Sequence, residues 1–122
     1  MPKASEFPIV FESLRDILKP YAKKLTLKKD TSGLYYLDAG YSEKWKRDLF
    51  FASVQIKKSY VSFYLMPVYM YPDLLKNISP ELKKHMQGKS CFNFKKIETS
   101  LFGELGKLTK QGFERMMKEE YS

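Results

Sequence analysis

Residues 88–96 read GKSCFNFKK and gather a Gly-Lys-Ser, the chain's only cysteine, two phenylalanines and a lysine pair. Each part names a chemistry. Gly-Lys-Ser is the tail of a phosphate-binding loop, but such a loop needs a glycine five residues earlier so that backbone amides can wrap the phosphates. That position is Lys83. Gly88 also stands between an expected helix and an expected strand, where glycine serves as a helix stop. A phosphate loop is excluded, and Lys89 remains as a single charge able to meet an anion.

Cys91 would act as a nucleophile only beside a base and with an acidified thiol. His85, the only histidine, belongs to the preceding helical stretch. A weak Cys91/His85 hydrolase or transferase is therefore an alternative that requires the two to meet in space, and no catalytic residue is assigned. Metals fare no better. There is no Cys-x-x-Cys and no second histidine, and the densest acids, Glu12 with Asp16 and Glu119 with Glu120, read as solvated helix faces. Hard cations need clustered oxygens, so these residues point to no metal centre, no cofactor and only weak iron affinity.

Alternation in SCFNFK turns Phe92 and Phe94 one way and Cys91 and Asn93 the other. Upstream, LFFASVQI and YVSFYLMPV alternate around Lys57-Lys58-Ser59. A two-residue loop at Lys58 and Ser59 pairs Val54 with Phe63 and Ile56 with Val61 on one face. Ser53 and Gln55 then meet Tyr64 and Ser62 on the other. The second face is polar and tyrosine-bearing. Tyr60, Ser62, Tyr64, Cys91 and Asn93 share it, with Lys89 closing one end. Ring surface, hydrogen-bonding groups and an ammonium suit a small anionic ligand with an apolar body. A plain solvated sheet face has the same make-up.

The remaining elements follow from period and punctuation. Val10, Leu14, Ile17, Leu18 and Tyr21 recur at helical spacing after Pro8, and Pro20 ends or kinks that helix. LTLKK and LYYLD flank a turn at Asp30-Thr31-Ser32-Gly33 and read as a hairpin. Residues 38–48 look irregular. Ser79-Pro80-Glu81 starts a short helix near residues 80–87, with Gly88 ending it. From Thr99 onward Leu101, Leu105, Leu108, Gly112 and Met116 trace a helical stripe containing glycines, which close packing against the sheet would explain. The expected fold is α+β: an antiparallel sheet of about five strands packed on one face by the first and last helices. Leu27, Val54, Ile56, Val61, Phe63, Leu65, Phe92 and Phe94 form its core.

Composition narrows the partners. At 122 residues the chain has the length of one domain, residues 1–122, and its 43% hydrophobic and 30% charged content is that of a globular protein. A net charge of +8 favours acidic partners, whether a small anion, an acidic protein or nucleic acid. The basic residues are scattered lysine pairs with only three arginines, which fits a solvated surface better than a nucleic-acid footprint. Charges arrive too early in the N-terminal stretch for a signal-peptide core, and VSFYLMPVYMY is too short to span a membrane. A cytoplasmic protein is the expectation.

Residues 60–108 resemble the YdhG-like family of small bacterial domains of unknown function. The likeness is carried by VSFYLMPVY, SPELKK and GKSCFNFKK. It implies an α+β order of helix, hairpins, helix, strand and helix, and a non-enzymatic binding role. For some relatives it implies a frataxin-like intracellular iron chaperone. It carries no functional residue over. The combined expectation is a small binding or carrier domain, with the iron role and the Cys91/His85 enzyme as alternatives.

Overall fold

The computed structural model describes residues 6–121, so the first five residues of the stretch read against a signal peptide lie outside it. Helix α1, Phe7–Leu18, buries Phe7, Val10, Phe11, Leu14 and Leu18, one stripe at helical spacing. Pro20 has no N–H to extend the ladder, and the chain tightens into a 3₁₀ turn at Lys19–Tyr21. Strands β1, Thr26–Asp30, β2, Leu34–Ser42, β3, Arg47–Ile56, β4, Val61–Leu65, and β5, Cys91–Phe94, form one antiparallel sheet in sequential order. Helix α4, Thr99–Glu120, and α1 pack on one face. This is the α+β arrangement expected from the sequence.

The β3–β4 register is the expected one: Val54 pairs with Phe63, Ile56 with Val61, Ser53 with Tyr64 and Gln55 with Ser62. Val54, Val61, Phe63, Leu65, Phe92 and Phe94 are all fully buried. Leu27 is not core. It is 41% exposed, because β1 is an edge strand that neither helix covers. Ile56 is only partly buried, at the strand end. Ser53 and Ser62 lie deeper than either although they face away from the helices. The cause is height. Ser53 sits between Tyr36 and Tyr64, and Ser62 between Gln55 and Asn93, so taller neighbours shield the small side chains.

Residues 38–48 are mostly strand, correcting the expected irregularity. Two bulges of opposite sense hide the alternation: Phe51 is extra on β3 and Ala39 on β2, and beyond them the original register returns. The first bulge turns Phe51 into the core against Tyr21 and Phe113, at ring distances of 5.7 and 5.8 Å. It leaves Phe50 on the outer face, 4.8 Å from the Tyr36 ring.

YVSFYLMPV is not one strand. The sheet ends at Leu65 and helix α2, Met66–Met70, begins with Pro67 in its first turn, where proline fits a helix and would fail a ladder. A Cβ on Gly112 would come within 2.8 Å of the Pro67 Cβ, so this glycine lets α4 approach α2, not the sheet. Gly103 and Gly106 face open space and have no such reason.

Helix α3 is shorter than expected, Pro80–Lys83, capped by Ser79 Oγ accepting from the Leu82 N–H at 3.1 Å. Gly88, at φ +83°, does not end it. It turns the chain so that residues 85–87 lie along β5, with Gln87 N–H donating to Cys91 O and Asn93 N–H to His85 O. The outer edge of β5 is thereby covered.

Candidate functional site

The polar sheet face exists, but its groups answer one another. Ser62 Oγ donates to Asn93 Oδ1 at 2.7 Å, the Cys91 thiol donates to the same oxygen at 3.2 Å, and Asn93 Nδ2 donates to Gln87 Oε1 at 2.6 Å. The ammonium over the Tyr64 ring belongs to Lys57, at 5.8 Å. Lys89 lies elsewhere, 6.0 Å from the Tyr69 ring centre. Tyr60 and Asn93 line a shallow hollow with His85, Lys95, Lys96 and Glu98, which Tyr64, Ser62 and Cys91 do not reach. The structure therefore keeps Ser62, Tyr64, Cys91 and Asn93 together on one face, joins Tyr60 to them through Asn93, and puts Lys89 elsewhere.

His85 and Cys91 do not form a catalytic pair. The imidazole stacks on Phe94, Nδ1 donates to Asn93 O at 2.7 Å, and Nε2 faces Glu98 at 3.1 Å, so both nitrogens are engaged. Burial pushes the Cys91 thiol up, and the Ser62 and Tyr64 hydroxyls and Lys57 recover only part of this. A raised thiol without a base is a poor nucleophile. Among the described residues no three His, Cys, Asp or Glu side chains gather where they could hold a metal.

A better-formed site lies at the other end of the sheet. β3 outruns β4, so Arg47–Phe51 have β2 on one side and no strand on the other. Helix α2 and Tyr71 close over that end and leave a hollow of about 490 Å³. Leu49, Phe50, Met66 and Met70 supply apolar surface, and Trp45 and Tyr69 stand at the rim, 51% and 54% exposed.

Two charged residues line the hollow, in opposite conditions. Glu120, the last residue of α4, is only 8% exposed, and its carboxylate accepts the Trp45 indole N–H at 2.7 Å and the Tyr71 hydroxyl. Lys44 stands 3.4 Å from it. Burial alone would raise the Glu120 carboxyl, but the bonds from Tyr71, Trp45 and Lys44 prevail and hold it below its ordinary value. The Tyr71 phenol is driven far up by burial and by the same hydrogen bond, so it stays protonated. Arg47 is exposed, and no carboxylate pairs with it among the described residues.

The charges and the rings of the hollow are unequally matched. Trp45, Phe50, Tyr69 and Tyr71 together resemble a cage for a cation, yet protein cations already lie over three of the rings, Lys89 over Tyr69 among them. Lys44 Nζ is 5.9 Å from Trp45, and the Arg115 guanidinium is 4.6 Å from Tyr71. Glu120 is neutralised by Lys44, while Arg47 keeps an unanswered positive charge. The charge in the hollow that lacks a partner among the described residues is therefore positive.

Sequence reasoning found Lys89 and the tyrosine-bearing face but missed this hollow. Its residues come from a loop, a bulged strand, a helix read as strand, and the distant C-terminal residue Glu120. The one available signal was Trp45, a lone tryptophan in a charged hairpin loop where nothing apolar is needed for the turn. Comparison of the chain with family models, with curated proteins and with solved structures finds no match in any of the three.

Proposed function

We propose that this protein is a binding or carrier domain for a small organic anion with an apolar body, held at the end of β3. The observation that supports it is the uncompensated Arg47 guanidinium at the mouth of an apolar, aromatic-walled hollow. The body of the ligand rests on Leu49, Phe50, Met66 and Met70, and Arg47 takes the carboxylate or phosphate in its planar fork. The domain holds its ligand and does not transform it. Glu120 and Tyr71, the groups nearest to acid–base chemistry there, keep each other charged and protonated respectively and exchange no proton near neutrality.

Trp45 is the only tryptophan among nine tyrosines, so fluorescence excited selectively at the indole reports this hollow. Decanoate or 4-phenylbutyrate should produce a saturable change, and decyltrimethylammonium none. Arg47→Ala removes one charge-assisted bond, about 1.5–3 kcal/mol, which is roughly a ten- to hundredfold loss of affinity. An equal response to the ammonium probe, or an Arg47→Ala variant that binds as the parent does, would overturn the proposal.

A further inference from the structure

Resting on that reading, we infer that the ligand is elongated and anionic at both ends, lying across Tyr69 from Arg47 to Lys83 and Lys89. A second hollow, about 650 Å³, borders the first. Tyr69 belongs to the walls of both. Helix α2 divides them: Met66 and Met70, one turn apart, face the first, while Val68 faces the second. The floor of the second is apolar, from Val68, Leu75 and Met86.

Its charges are also unanswered. Lys83 and Lys89 line the second hollow, and neither pairs with a carboxylate among the described residues. No acidic side chain lines it at all. Two apolar hollows therefore meet at one exposed aromatic ring, with Arg47 uncompensated in the first, Lys83 in the second, and Lys89 in the second beside the ring itself. A monoanion satisfies only one of these hollows. A molecule with an apolar middle and an acidic group at each terminus satisfies both, its middle passing over the Tyr69 ring. Methionines in both halves supply a floor that adapts to a flexible chain.

Methyl-labelled methionine separates the halves spectroscopically, because Met66 and Met70 report the first hollow and Met86 the second. Dodecanoate and dodecanedioate are titrated into the full chain. The diacid should shift all three methyls with one shared dissociation constant and bind at least threefold more tightly than the monoacid, which should shift Met66 and Met70 alone. Lys83→Ala with Lys89→Ala should remove the diacid's advantage and leave the monoacid unchanged, and both lysines are exposed, so the fold does not depend on them. If the monoacid binds and the diacid gains nothing, or Met86 responds with its own separate constant, the elongated ligand is refuted and the Arg47 hollow stands. If neither acid moves Met66 and Met70, both readings fall together.

Discussion

Tyr71→Phe deletes a single oxygen, and its cost tests whether Glu120 ties three separate parts of the chain together. The carboxylate of Glu120 receives Trp45 from the β2–β3 loop, Tyr71 from the segment after α2, and Lys44. A hydrogen bond to a charged group contributes about 1.5–3 kcal/mol. Tyr71 is only partly buried, so water replaces some of the loss and the lower end, about 1.5 kcal/mol, is expected. Glu120→Ala leaves the Trp45 and Tyr71 donors without their acceptor, while the exposed Lys44 returns to water, and should cost about 2–4 kcal/mol. Urea denaturation followed by far-UV circular dichroism measures both, and the double variant closes a cycle whose coupling should be about 1–2 kcal/mol.

The pH dependence has a defined sign. Glu120 is held below its ordinary 4.5, so its contribution is complete above that value and disappears as pH falls through the depressed one. Tyr71 is held above its ordinary 10.0, so its contribution is complete below that value and fades only in stronger alkali. The gap between parent and Tyr71→Phe should therefore be flat between those two ordinary values and narrow in acid. A Tyr71→Phe variant within about 0.5 kcal/mol of the parent, or a cycle with no coupling, would refute the reasoning, since surface substitutions alone give changes of that size.

Two further outcomes are expected. Gly112→Ala should destabilise by about 1–3 kcal/mol because its new methyl meets Pro67, whereas Gly103→Ala and Gly106→Ala should each gain about 0.5–1 kcal/mol in open space; equal effects at the three positions would contradict the close approach of α4 to α2. Cys91 should react with iodoacetamide more slowly than a free thiol at pH 7 and accelerate only on unfolding, since burial raises it above its ordinary 9.0; rapid labelling of the folded chain would reopen the Cys91/His85 enzyme.

The register of β3 with β4 was legible because period-two alternation admits one pairing that buries Val54, Phe63 and Phe92 together. The ends of these strands were not. A pair of opposed bulges erases alternation over residues 38–51 while leaving the pairing intact, and nothing local distinguishes that from a loop. At Pro67 the local signal was present but outweighed by Val61, Phe63 and Leu65, whose alternation carried the strand one element too far. Leu27 failed for a different reason. Its alternation is sound, but which edge of a sheet the helices leave bare is a tertiary fact.

The same failures coincide with the site, and geometry explains why. Strands pair at about 4.8 Å, so a full-length β4 would have sealed the side of Arg47–Phe51 with backbone. Because β4 stops opposite Ala52, that side is covered by helix α2 instead. Helices pack against other elements at about 8–10 Å, a separation that side chains must fill. Here they fill it incompletely: Trp45 and Tyr69 stay about half exposed, and Glu120 is held by Trp45, Tyr71 and Lys44. The hollow is therefore a product of unequal strand lengths. Lengthening β4 by turning Met66 and Pro67 into strand would abolish it, whereas changes confined to GKSCFNFKK, no residue of which lines it, would leave it intact.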